Sequence, residues 1–156
     1  MSPEEAFHFA LTKGERVLDF EPIILQSAYY SYKYAICVIR GRWLEAEPVI
    51  LTSPQLAYNY ASNIVKGRWH KAESVILTDP YWAYHYTRDV IQGCWSEAEP
   101  IILTDSNCAY WYAINVIKGR WPEAENIIFE SIFCQNYYKR FGISFSKKIS
   151  WSKEGF

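Results

Sequence analysis

Tyr112-Ala113-Ile114-Asn115-Val116-Ile117-Lys118-Gly119-Arg120-Trp121-Pro122-Glu123-Ala124-Glu125 is the last of four matching copies of one pattern. Gly41, Gly67, Gly93 and Gly119 stand 26 residues apart. Before them lie Tyr34-Ala35, Tyr60-Ala61, Tyr86-Thr87 and Tyr112-Ala113. After them come Trp43, Trp69, Trp95 and Trp121, then Glu47, Glu73, Glu99 and Glu125. Each copy closes on an apolar triplet such as Val49-Ile50-Leu51. Self-similarity at a fixed period of this length is the signature of a repeat architecture.

Each copy predicts two helices. Ser53-Pro54 and Asp79-Pro80 pair an N-cap residue with a first-turn proline. Ala57, Tyr60, Ala61 and Ile64 then recur at helical spacing and form one buried stripe, which Tyr58 and Val65 widen. Gly67 is expected to end this helix in a left-handed conformation. A short second helix follows over about His70 to Leu77. A unit of this kind cannot bury its apolar face alone, so the units must pack on one another.

The expected fold is therefore all-α, a helix–turn–helix solenoid of about five 26-residue units forming a single domain over 1–156. The regular units are 28–53, 54–79, 80–105 and 106–131. Residues 1–27 form a degenerate first unit: Ala6-Phe7-His8-Phe9-Ala10 matches Ala57-Tyr58-Asn59-Tyr60-Ala61, and Glu21-Pro22-Ile23 matches Glu47-Pro48-Val49. Its interior is one residue shorter, and no Trp follows Gly14. Residues 132–156 read as a C-terminal cap, with a helix over Ile132 to Phe141 followed by a basic end. This segment carries five basic residues against Glu154 alone, whereas the rest carries 11 basic and 16 acidic.

The repeat resembles one found in uncharacterised proteins of tailed bacteriophages, carried by the Tyr-Ala-x-x-Val-Ile-Lys-Gly-Arg-Trp-x-Glu-Ala-Glu pattern over residues 28–131. In general design it is similar to Sel1-like and tetratricopeptide solenoids. That likeness implies protein binding by analogy of fold, and the resemblance to phage repeats implies a phage–host or phage–phage setting.

Composition narrows the function classes. Half the residues are apolar and 18% aromatic, which excludes compositional disorder. No apolar run approaches the roughly 20 residues that span a bilayer. The acidic start Met1-Ser2-Pro3-Glu4-Glu5 lacks the character of a signal peptide, so a cytoplasmic location is expected, in the host cytoplasm if phage-encoded. Cys37, Cys94, Cys108 and Cys134 fit no zinc spacing and read as reduced, partly buried side chains. No nucleophile motif, metal motif or phosphate loop occurs, so no catalytic residue, metal site or cofactor is expected.

Residues constant in every unit serve packing and turning, while an exposed column that varies is free to read a partner. The glutamates are expected to pair with Arg42, Arg68 and Arg120, five residues earlier. The tryptophans are expected to wedge between units. The variable outward column of the first helices contains Tyr29, Lys33, Asn59, Tyr81, His85, Arg88 and Trp111. Protein interfaces enrich aromatic and Arg side chains, so a protein partner is expected to dock here. Trp111 is most telling, since its counterparts Lys33, Asn59 and His85 are polar. A partner, a second copy of the chain in a homo-oligomer, or the C-terminal segment folding back could cover it. His85 is expected to pair with Asp89. The alternative partner is nucleic acid, along an edge formed by Arg42, Arg68 and Arg120 together with the basic end.

Overall fold

The computed structural model describes residues 1–143 and is all-helical, with no strand among those residues. The long first helices are α1 (Pro3–Lys13), α3 (Ala28–Tyr34), α5 (Pro54–Tyr60), α7 (Pro80–Tyr86), α9 (Ser106–Tyr112) and the C-terminal α11 (Cys134–Arg140). Between them lie the short α2 (Glu21–Ile24), α4 (Glu47–Ile50), α6 (His70–Ile76), α8 (Glu99–Ile102) and α10 (Glu125–Ile128). Successive long helices pack side by side, α1 on α3, α3 on α5, α5 on α7 and α7 on α9, each also covered by the short helix that follows it.

The starts follow the expected chemistry. Ser53 accepts the Leu56 N–H, Asp79 accepts those of Tyr81 and Trp82, and Asp105 accepts that of Cys108 at 2.8 Å. At α1, Ser2 and Glu5 form a reciprocal capping box.

The ends depart from it. Helices α3, α5, α7 and α9 do not stop as α-helices but continue into five-residue π-helices, Ala35–Ile39, Ala61–Val65, Thr87–Ile91 and Ala113–Ile117. The left-handed residue that ends each one is Arg40, Lys66, Gln92 or Lys118, with φ between 56° and 58°. None of the four repeated glycines has a left-handed φ, and nothing in the geometry of those positions demands glycine. The Lys66 N–H reaches Ala61 O at 2.8 Å, and the Gly67 N–H reaches the same oxygen at 3.4 Å. The wide turn thus satisfies two end groups on one carbonyl.

This also explains the short first unit. Three residues separate Ala10 from Gly14, but four separate Ala35 from Arg40 and Ala61 from Lys66. Helix α1 stays α-helical to its end, where Gly14 (φ 69°) donates to Ala10 O. The extra residue of the regular units is the one that widens a turn into a π-bulge. Gly14 therefore matches Arg40, and Arg16 and Val17 stand where Arg42 and Trp43 do.

A left-handed residue with a side chain costs roughly 1–2 kcal/mol, and glycine relieves most of it. Lys66→Gly is accordingly expected to stabilise the fold by about 0.5–1 kcal/mol in thermal unfolding, while Lys66→Val destabilises it. Gly67→Ala is expected to be nearly neutral. A loss of stability on Lys66→Gly would contradict this assignment of strain.

The core is a set of columns. Tyr34, Tyr60, Tyr86, Tyr112 and Tyr137 are completely buried, as are Ile24, Ile50, Ile76, Ile102 and Ile128; Trp43, Trp69, Trp95 and Trp121 are nearly so. Each such side chain contributes roughly 1.5–3 kcal/mol through burial. Every repeated tyrosine joins two levels. The ring of Tyr60 packs 5.0 Å from Trp69, while its hydroxyl accepts the backbone N–H of Trp43 at 2.7 Å. The same bond links Tyr34 to Val17, Tyr86 to Trp69, Tyr112 to Trp95 and Tyr137 to Trp121. Tyr137, one residue out of register with Tyr112, ties α11 to the Trp121 backbone in the same way. Residues 144–156, with Lys147, Lys148 and Lys153 of the basic end, lie outside the described residues.

Candidate functional site

The repeated glutamates form the expected ladder. Arg42, Arg68 and Arg120 grip Glu47, Glu73 and Glu125, and Arg16 grips Glu21 in the same way. Arg68 holds the Glu73 carboxyl below its ordinary range. In the third of the four copies Cys94 replaces the arginine, and Glu99 receives the Tyr112 hydroxyl at 3.1 Å, as Glu21 receives that of Tyr34. The guanidinium groups of the proposed nucleic-acid edge are thus already matched by carboxylates. The tryptophans that could have offered stacking platforms are core. Among the described residues, no group of three His, Cys, Asp or Glu side chains is placed to hold a metal ion.

The outward column is split by the structure. Tyr29 is 50% exposed, with the Lys33 ammonium 5.7 Å from its ring centre. Asn59 is half-buried on α5. Tyr81, His85, Arg88 and Trp111, however, line one pocket of about 550 Å³ between α7 and α9 and their π-turns. Tyr84, Asp105, Asn107, Cys108 and Asn115 complete it. Burial and hydrogen bonding to Asp105 push the Cys108 thiol up to about 12, so it stays protonated. Trp111 remains 37% exposed, with its ring edge-on to Tyr110 and, at 5.0 Å, to Phe133. The segment after Ser131 therefore covers part of it.

Arg88 is a clamp. Its Nε and Nη2 donate to both oxygens of Asp89 at 2.6 and 2.7 Å, its Nη1 donates to Tyr84 Oη at 3.1 Å, and its Nη2 reaches His85 Nδ1 at 2.9 Å. His85 Nδ1 also lies 3.7 Å from Asp89. The shorter contact decides its state: guanidinium can only donate, so Nδ1 accepts and the ring is neutral. Burial, followed by the Arg88 charge, lowers the His85 pKa and agrees with this. The expected His85–Asp89 ion pair is therefore replaced by an Arg88–Asp89 pair, with the imidazole as an acceptor beside it.

A second inter-helix link was not read from the sequence. The Tyr58 hydroxyl donates to Asp89 Oδ2 at 2.7 Å, Asn115 Nδ2 donates to Tyr84 Oη at 2.8 Å, and Asn63 Nδ2 donates to Tyr32 Oη at 3.1 Å. Burial, followed by the bond to Asp89, pushes Tyr58 up to about 12. Both partners recur every 26 residues, which was the available signal. Arg88 appears only where this column carries an acid: Ser62 precedes Asn63 and Ile114 precedes Asn115.

Comparison with protein-family models, curated proteins and solved structures gave no match. No helix among the described residues is long and apolar enough to cross a membrane.

Proposed function

We propose that the chain is a helix–turn–helix solenoid that binds another protein through the outward face of its first helices, without catalysis. The packing of successive long helices and the recurring tyrosine-to-backbone bonds support the solenoid. One observation carries the binding face: the packing columns are buried and hardly change, whereas the outward column varies and leaves Tyr29, Tyr81 and Trp111 substantially exposed. Exposed aromatic side chains gathered on one face mark an interaction surface. The resemblance to phage repeats suggests a host or phage protein as the partner. The nucleic-acid alternative has less support, because Arg42, Arg68 and Arg120 are each neutralised by a glutamate.

The test is capture from a host lysate with the wild-type chain and with Trp111→Ala. The substitution removes edge contacts to two rings, so a stability loss of about 1 kcal/mol is expected. Affinity for the captured protein should fall by about 2 kcal/mol, roughly thirtyfold. Undiminished affinity would place the interface elsewhere. A stability loss of about 3–5 kcal/mol would make Trp111 a core residue.

A further inference from the structure

The geometry points to the α7–α9 pocket as the seat of an arginine side chain presented by the partner protein. This rests on the docking face proposed above and names what that face selects. Charge selects this ligand. Arg88 is the cation on the pocket wall, and Asp89 holds it bidentately, while Tyr84 and His85 take further N–H groups. An anionic ligand would have to displace Asp89. His85 contributes no positive charge, because its Nδ1 accepts from Arg88.

The carboxylate of Asp105 lies on the same wall, and no cation pairs with it among the described residues. One of its oxygens caps α9, and Asp79 caps the neighbouring α7. The half-charge of a helix N-terminus offsets only part of a full carboxylate. The uncompensated charge of the pocket is negative.

The aromatic groups suit the same ligand. A cation over an aromatic face is attracted by the ring quadrupole, and a flat guanidinium stacks as well as hydrogen-bonds. The chain already makes this contact with its own side chains, the Lys33 ammonium 5.7 Å from Tyr29 and the Arg88 guanidinium 5.2 Å from Tyr84. Tyr81 occupies the column position of Tyr29, but His85 stands where Lys33 does. The 50%-exposed Tyr81 ring therefore has a neutral imidazole at 4.3 Å and the edge-on Trp82 ring at 4.8 Å beside it, and no cation over it among the described residues. Trp111 offers a second ring on the same pocket. Asn115 donates its amide hydrogen to Tyr84, which leaves its carbonyl oxygen to accept. A guanidinium thus meets a carboxylate, a carbonyl and two rings on the wall of one pocket of about 550 Å³.

The experiment is an amide-resolved NMR titration of the full chain with three blocked tripeptides, acetyl-Gly-Arg-Gly-amide and its Glu and Leu counterparts. The arginine peptide should saturably shift the resonances of Tyr81, Asp105, Asn115 and the Trp111 indole, and the glutamate peptide should not. Asp105→Asn, which keeps a good helix cap, should leave the melting temperature nearly unchanged. It should also weaken the arginine peptide roughly tenfold, the scale of one charge-assisted hydrogen bond. Unchanged affinity in Asp105→Asn would overturn the proposal. If the leucine or glutamate peptide shifts the same resonances as strongly, the docking face stands and the arginine assignment falls. If no peptide perturbs these residues, both fall.

Discussion

Replacing Tyr86 by alanine is expected to lower stability by about 3–5 kcal/mol, the range for a large aromatic deleted from a close-packed core. Its side chain is completely buried, its ring lies 5.4 Å from that of Trp95, and its hydroxyl accepts the Trp69 N–H at 2.7 Å. Tyr86→Phe separates these roles. The ring stays, but the buried Trp69 N–H loses its acceptor, which costs about 1–3 kcal/mol. The indole N–H of Trp69, like those of Trp43 and Trp95, is already buried with no hydrogen-bond partner among the described residues. That level of the core therefore has no spare acceptor to take over the backbone group. Denaturant unfolding followed by circular dichroism gives both values. A neutral Tyr86→Phe would mean that water reaches the Trp69 amide, and the tyrosine would then act by packing alone.

The readable part of this fold was the part set by local chemistry. Caps such as Asp79 and Asp105, the alanine stripes, and the Arg–Glu pairs five residues apart all follow from side chains within one or two helical turns. The π-turns were present in the sequence only as a one-residue mismatch between the first unit and the others. A helical stripe from Ala57 to Ile64 reads alike whether or not its last turn is widened. That widening also moved the left-handed position from Gly67 to Lys66, so the familiar glycine stop pointed one residue too far. The links between Tyr58 and Asp89 or Tyr84 and Asn115 depend on the offset between neighbouring helices, which no single helical period specifies.

The candidate site shows the same boundary. The outward column identified Tyr81, His85, Arg88 and Trp111, and these four do line one pocket. Asp105, Asn107 and Asn115 reach it from positions with structural duties of their own. Asp105 caps α9, Asn107 accepts from the Ser131 hydroxyl, and Asn115 bonds Tyr84. Arg88 looked like a free recognition residue because its column otherwise holds Ile36, Ser62 and Ile114. Its reason is the adjacent Asp89, which stands where the neighbouring copies place the neutral Asn63 and Asn115.

The ladder of ion pairs provides the second large effect, and burial, not pairing, should set its size. Glu47 is only 4% exposed and Glu125 is 19% exposed, yet each is gripped by an arginine five residues before it. Arg42→Ala would leave the Glu47 carboxylate nearly out of water, with the exposed Lys71 ammonium 3.7 Å away as its remaining cation. A loss of about 3 kcal/mol is expected, at the low end for stranding a buried charge because Lys71 and entering water relieve part of it. Arg120→Ala exposes a carboxylate that water can already reach, and about 1 kcal/mol or less is expected. Added salt should shrink the Arg120 effect and leave most of the Arg42 effect in place. The third of the four copies supplies the reverse experiment. Cys94→Arg would give Glu99 the partner that its counterparts have, for a gain of up to about 1 kcal/mol. Unfolding curves of the three variants at low and high salt decide the matter. Equal losses for Arg42→Ala and Arg120→Ala would show that the pairs act as surface contacts throughout, and burial of Glu47 would then carry no special weight.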